Sequence, residues 1–295
     1  MPDRAALLST LRALLPKHAI LEAEEARRPY ECDGLSAYRE LPWIVVLPET
    51  VAQVQAILSQ CRQAGVPVVA RGAGTGLSGG ALPLSDGVLL SLAKFTAILE
   101  IDPLNRTACV QPGVRNLAIS EAVAPHGLYY APDPSSQIAC TIGGNVAENS
   151  GGVHCLKYGL TIHNVLAVKV VTVDGALVEF GAEALDAAGF DLLAVLIGSE
   201  GMLGVVVEVT VKLLPLPRCA QVVLAAFDDV AKAGAAVGDI IAAGIIPAGL
   251  EMMDGPAIKA AEDYVHAGYP VDAAALLLCE VDGTEVEGEE HSERI

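Results

Sequence analysis

The ten residues Arg71-Gly72-Ala73-Gly74-Thr75-Gly76-Leu77-Ser78-Gly79-Gly80 follow directly on the apolar run Val66-Pro67-Val68-Val69-Ala70 and hold five glycines. Glycine adopts backbone angles that a Cβ forbids. A loop this rich in it can turn several successive N–H groups toward one anion. The stretch therefore points to phosphate, and a phosphorylated cofactor is the first expectation. Gly74 to Gly79 also matches G-x-G-x-x-G, but the dinucleotide fold needs a helix right after the glycines, inside a βαβ unit of ~30 residues. Here Pro83 comes three residues after Gly80, and the strand-like run Val88-Leu89-Leu90-Ser91-Leu92 begins soon after. The intervening segment is too short for a crossover helix, so the loop joins two strands and the Rossmann reading is rejected. A glycine-rich surface turn without a ligand is the plain alternative.

Outward from this loop the pattern is mixed. Leu7, Leu8, Leu11, Leu14 and Leu15 fall at helical spacing before Pro16, and Trp43 to Leu47 reads as a strand. Thr50 and Gln53 form a capping box ahead of Val51, Val54, Ile57, Leu58 and Cys61, with Gly65 as the stop. Ala108 to Gln111 reads as a strand, and a short helix begins after Gly113 and stops near Gly127. Val168 to Val173 and Leu177 to Phe180 flank the hairpin signal Asp174-Gly175. A helix-like stretch at 191–196 precedes the β-branched strand Val205 to Val211. Pro215 and Pro217 mark a boundary. Past it, a strand (222–226), a helix (228–243) and a strand (275–281) open a second α/β domain that looks unfinished, ending in an acidic tail, 285–295.

The 295 residues suffice for two domains. At 53% hydrophobic and 18% charged the chain is globular, and its net charge of −18 argues against nucleic acid or anionic lipid as the main partner. Seven cysteines, scattered and never in C-x-x-C spacing, suit reduced thiols in a cytoplasmic compartment and argue against a zinc ribbon or an iron–sulfur cluster within this chain. The N-terminus has no signal-peptide layout, and no uncharged apolar stretch reaches the ~18 residues of a spanning helix. Any membrane association is expected to go through partner proteins.

A second cluster runs from Pro132-Asp133-Pro134-Ser135-Ser136 through Cys140-Thr141-Ile142-Gly143-Gly144-Asn145 to Asn149-Ser150-Gly151-Gly152. Thr141 can cap a short helix whose Gly143-Gly144 leaves room for a flat ring, with Asn145 and Asn149 four apart on one face. Turns packed at a domain edge would explain either cluster alone. The two together favour a ligand, a planar hydrogen-bonding heterocycle.

Four ordered segments, RGAGTGLSGG, PDPSSQIACTIGGNVAENSGG, LKYGLTIHN and GSEGMLGVVVEVTVKLLP, resemble the FAD-linked oxidase family with a flavin domain of the vanillyl-alcohol-oxidase (PCMH) type. Within it the likeness is to the glycolate-oxidase branch, near D-lactate and D-2-hydroxyglutarate dehydrogenases, and it continues into Gly249 to Gly283. The resemblance implies an α+β fold: an N-terminal helical segment (1–40), a flavin domain of two α/β subdomains (41–216), and the start of a substrate or cap domain (217–295). It also implies FAD. Arg71 and Leu77 to Ser78, with the N–H groups of Gly72, Gly74, Thr75 and Gly76, would hold the diphosphate. Pro134, Ser135, Cys140, Thr141, Gly143, Gly144 and Asn145 would line the isoalloxazine and ribityl chain. Ala147, Asn149, Gly151, Gly152, Tyr158 and Gly159 would continue that wall, while Glu200, Gly201, Gly204 and Val205 would close over the adenosine end. Some relatives attach flavin through a histidine in the first loop. Residues 71–80 hold none, so the FAD is expected to be dissociable.

The implied activity is oxidation of a small 2-hydroxy acid, glycolate or D-lactate, by hydride transfer to flavin N5, with electrons passed to partner subunits carrying iron–sulfur centres. The six histidines (His18, His126, His154, His163, His266, His291) show no metal-ligand pairing. His154 and His163 are the best local candidates for a catalytic role, and Arg115 is a weaker one for a substrate carboxylate. In the family the substrate arginine and the catalytic histidines lie in a C-terminal half that these residues do not include. Turnover by this stretch alone is therefore expected to be impaired, and a non-catalytic FAD-binding or assembly role is the competing reading. A nicotinamide-using cell-wall-precursor reductase on the same fold is disfavoured by the match through Gly249 to Gly283.

Overall fold

In the computed structural model, which describes residues 4–182 and 189–295 but not the side chains at 289 and 291, Thr50 opens the helix Val51–Ala64 through the expected capping box. Thr50 Oγ1 accepts from the Gln53 N–H (3.2 Å), and Gln53 Oε1 accepts from the Thr50 N–H (3.3 Å). Gly65, at φ +65°, ends the helix in the left-handed region. His291, one of the histidines considered above, has a side chain outside the described ones.

The described residues fall into two units. The first takes 4–130, 136–150, 161–182 and 189–214, and the second takes Ala131–Ser135, Gly151–Leu160 and Pro215–Ile295. In the first unit, β1 (Ile20–Leu21), β2 (Ile44–Val46), β3 (Val68–Arg71) and β4 (Val88–Ser91) form a sheet in the order β1-β2-β4-β3. β2, β4 and β3 are parallel, and β1 is antiparallel to β2. All of β2 and β4 is buried, as continuous apolar runs in parallel sheets require. Leu7 and Leu11 from the helix Arg4–Leu14, and Leu15 after it, share this core with Val54, Ile57 and Leu58. The glycine loop connects β3 to β4 without a helix, as its spacing predicts.

A second sheet of the same unit contains β5 (Ile98–Asp102), β6 (Thr107–Val110), β8 (Val165–Val171), β9 (Leu177–Gly181) and β10 (Val205–Lys212); the short β7 (Leu128–Tyr129) lies outside it. Its order is β5-β6-β10-β8-β9, antiparallel throughout. β8 and β9 meet as the Asp174-Gly175 hairpin, with Gly175 at φ +83°. β10 serves two cores. Val205 and Val207 pack into the core of the first sheet, whereas Val206, Val209 and Val211 pack into a second core with Ile119, Ile142 and Val146. Strict alternation would put 205, 207, 209 and 211 on one face. The register shift between Val206 and Glu208 changes the phase and reconciles the two sets.

The short β11 (Leu214–Pro215) pairs with β7, and the first unit ends at its Leu214. In the second, β12 (Cys219–Phe227), β14 (Ala275–Gly283) and β13 (Gly249–Asp254) form an antiparallel sheet in that order. The helices Val230–Ala242, Gly255–Val265 and Glu285–Arg294 accompany it. The expectation of two strands and an acidic tail is corrected here. Residues 285–294 are helical because Thr284 and Glu287 form another capping box: the Thr284 N–H donates to Glu287 Oε2 (2.9 Å) and the Glu287 N–H to Thr284 Oγ1 (3.3 Å).

Candidate functional site

β3 delivers Arg71 to the start of the glycine loop with its side chain buried. The guanidinium Nη1 donates to the Cys32 carbonyl at 2.7 Å, and the group lies 5.7 Å from the Tyr30 ring centroid. Burial lowers its pKa, and the nearby Asp33 opposes that shift. A Cβ at Gly74, where φ is +71°, would overlap the guanidinium. Arg71 therefore braces the loop from beneath. Among the described residues the N–H groups of 72–78 donate no hydrogen bond. A Cβ at Gly76 would meet nothing within 4 Å, so the loop backbone faces open space there. These are the features a backbone anion nest needs.

Thr141 stands at the N-cap of the helix Ile142–Glu148, but its hydroxyl makes no capping bond. That corrects the expectation of a side-chain cap. The Oγ1 is buried and has no partner, and it sits where a Cβ of Gly72 would be. Gly143 and Gly144 also differ in role. A Cβ on Gly143 would come 2.5 Å from Pro112 Cβ, so its bareness serves packing. One on Gly144 would meet only Thr141 Oγ1, at 3.7 Å. Asn145 is buried and donates through Nδ2 to Asn116 Oδ1 at 2.8 Å. Asn149 does not share a helical face with it: it leaves the helix at φ +51°, and its Oδ1 accepts from the Ile162 N–H at 3.0 Å.

These elements enclose a cavity of about 310 Å³ lying wholly in the first unit. It is lined by Arg71, Gly72, Gly74, Thr75, Gly76, Leu77 and Ser78 from the first loop. Cys140, Thr141, Gly143, Gly144, Asn145 and Ala147 add the second cluster, and Glu200, Gly201, Gly204 and Val205 the third. Asn149 does not line it. Pro134, Ser135, Gly151, Gly152, Tyr158 and Gly159 belong to the second unit. The cavity is also lined by Asp33, Ser136, Glu148, Ser150 and Ser199, none of which the sequence reading assigned to the cofactor. Burial raises the Glu148 pKa, with Glu200 and Asp33 adding to the shift. Asp33 has no local signal, because only folding brings it beside a loop 40 residues further along the chain.

The histidine candidates are placed elsewhere. His154, in the second unit, has Nδ1 2.6 Å from Asp133 Oδ2 and Nε2 3.3 Å from Glu280 Oε2. The bond to Asp133 is the main reason its pKa is raised to about 9. A group that stays cationic at neutral pH does not serve as a general base. Beside it, Lys157 Nζ and Tyr158 Oη hold the buried Asp282 carboxylate at 2.5 Å each. Tyr158 is thus committed within its own unit. His163 does not line the cavity, and its carbonyl accepts from Lys212 Nζ at 2.9 Å. Arg115 is a surface charge that donates to the Ile138 carbonyl and lies 3.8 Å from Glu121. Among the described residues no cluster of three or more His, Cys, Asp or Glu could hold a metal ion, and no helix is long and apolar enough to cross a membrane.

The cavity fits part of FAD. Free loop N–H groups suit diphosphate oxygens, the unpartnered Thr141 hydroxyl can donate, and Gly76 and Gly144 leave their faces open. About 310 Å³ is the low end for ligand sites, enough for the diphosphate and the sugar groups flanking it.

Comparison with known proteins agrees with this fit. Residues 42–181 match the family described as FAD binding domain, and 216–295 match FAD linked oxidases, C-terminal domain. The chain is 66% identical over 293 residues to the glycolate oxidase subunit GlcD of Escherichia coli K12, covering 99% of this chain and 59% of that protein. It is 44% identical over 263 residues to GlcD of Bacillus subtilis (89% and 56%) and 32% identical over 289 residues to a D-lactate dehydrogenase of Anaerostipes hadrus (95% and 60%). The chain thus spans about three-fifths of the length of these relatives. Among solved structures, alkyldihydroxyacetonephosphate synthase aligns with a TM-score of 0.85 at 20% identity, over 98% of this chain and 58% of that one. Substrate-bound p-cresol methylhydroxylase aligns at 0.83 and 18%, over 99% and 63%. At such identities the likeness establishes the fold, an α+β arrangement of the PCMH type, as the sequence implied.

Proposed function

Because this chain belongs to the FAD-linked oxidases, we propose that the protein oxidises a small 2-hydroxy acid, glycolate to glyoxylate or D-lactate to pyruvate. The observation that carries this reading is the 66% identity to a glycolate oxidase subunit across nearly the whole chain. Bound FAD would supply the hydride acceptor, flavin N5. The chain's own residues bind and orient. The N–H groups of Gly72 to Ser78 grip the diphosphate, Thr141 Oγ1 donates from beside Gly72, and Glu200, Gly201, Gly204 and Val205 complete the lining. Pro134, Ser135, Asn149, Gly151, Gly152, Tyr158 and Gly159 keep their proposed place along the flavin by family resemblance alone.

FAD is held without a covalent bond, since residues 71–80 offer no histidine. Electrons leave through partner subunits bearing iron–sulfur centres, and the protein works in the cytoplasm, reaching any membrane through those partners. The competing reading, an FAD-holding subunit without turnover, is separated by one experiment on the full-length protein. Anaerobic addition of glycolate or D-lactate bleaches the flavin absorbance if the protein is a dehydrogenase. A flavin that stays oxidised with both acids refutes the proposed activity.

A further inference from the structure

Asp33 is 6% exposed, yet it lines the cavity beside the glycine loop. Its Oδ1 accepts from the Leu35 N–H at 2.9 Å, while its Oδ2 is buried with no hydrogen-bond partner. The contact with the loop is close. A Cβ on the neighbouring Gly34 would lie 2.7 Å from the Gly76 carbonyl and 2.8 Å from that of Thr75, so the chain at 33–34 runs directly against the loop backbone. A buried polar atom without a partner is costly. An ionised carboxylate only accepts hydrogen bonds, and so does a diphosphate. The partner missing from Asp33 Oδ2 is therefore a donor, and it lies next to the phosphates. In a flavin dinucleotide the groups that meet both conditions are sugar hydroxyls, on the ribityl chain to one side of the diphosphate and on the ribose to the other.

We infer that Asp33 is a cofactor-positioning residue whose Oδ2 accepts a hydrogen bond from a sugar hydroxyl flanking the diphosphate of FAD. This rests on the FAD reading proposed above and adds a residue to it. The electrostatics make the inference sharp. Glu148 and Glu200 already line the same cavity, and a third carboxylate repels a diphosphate. If Asp33 were only a neighbour, neutralising it would tighten binding. If it accepts a hydroxyl, neutralising it weakens binding.

The test is a fluorescence titration of the flavin-free protein and its Asp33→Asn variant with FAD, alongside ADP, which carries only the ribose, and FMN, which carries only the ribityl chain. Asn keeps the acceptor for the Leu35 N–H, and a thermal melt checks the fold. The inference expects Asp33→Asn to bind FAD about tenfold to a hundredfold more weakly, the usual worth of a charge-assisted bond. The same loss is expected with ADP if the hydroxyl is the ribose's, or with FMN if it is the ribityl's. Should the variant melt early, wild-type protein answers alone: 2′-deoxy and 3′-deoxy ADP and a deoxygenated ribityl analogue of FMN are compared with their parents. One of them losing at least tenfold supports the inference, and none losing overturns it. Equal or tighter binding of FAD by a folded Asp33→Asn also overturns it. Wild-type protein that binds no FAD at all fails the proposed function instead, a distinct result.

Discussion

Replacing Thr141 by Val should move stability and FAD affinity in opposite directions. The hydroxyl is buried without a partner, and leaving such a group unpaired costs about 1–3 kcal/mol. Val keeps the branched shape and removes the polar atom. At about 1 kcal/mol gained, the midpoint of thermal unfolding of the flavin-free protein rises by roughly 2–4 °C, the scale for units of this size. With FAD the sign reverses. A bond from this hydroxyl to a diphosphate oxygen involves a charged acceptor and is worth about 1.5–3 kcal/mol, so the variant binds roughly tenfold to 150-fold more weakly. Saturating FAD then protects the variant less than the wild type, because ligand stabilisation grows with the logarithm of the ratio of concentration to Kd. Differential scanning fluorimetry without FAD and a flavin fluorescence titration measure the two quantities separately. A lowered midpoint, or a Kd within twofold of wild type, would refute the assignment of this hydroxyl to the cofactor.

Gly72→Ala places a methyl on Thr141 Oγ1 and should abolish tight FAD binding, while Gly72→Ala with Thr141→Ala should melt higher than the single variant, since the nearest other neighbours lie 3.7 Å or more away. Additive losses in the melting series would count against that contact. His154, with a pKa raised from 6.5 to about 9, gives a pH signature. A raised folded-state pKa stabilises fully below about 6.5, progressively less up to about 9, and not at all above it. The wild type should therefore out-melt His154→Gln at pH 6 and lose that advantage by pH 10; an advantage independent of pH would disprove the charged pairing with Asp133 and Glu280.

Signals within a few residues carried much of this fold. Thr50 with Gln53, Gly65 and Asp174-Gly175 each satisfy a local requirement, so they end or turn an element wherever the chain places them. The glycine loop was legible for the same reason, since its backbone freedom does not depend on distant partners. Non-local features were not. The phase change in β10 arises from its pairing with β8, which the run Val205 to Val211 does not reveal. Asp33 meets the loop across 40 residues of chain, and the Thr141 hydroxyl turns to Gly72 instead of capping because tertiary packing overrides a local preference. The helix Glu285–Arg294 is a different miss: Thr284 and Glu287 signal it locally, but a run of acidic residues obscured the capping box.

The most direct measurement is the flavin content of the purified chain after incubation with FAD and gel filtration. The account predicts a yellow protein carrying one FAD per chain, all of it released to the supernatant when the protein is denatured with acid. Folded protein that elutes colourless would contradict it.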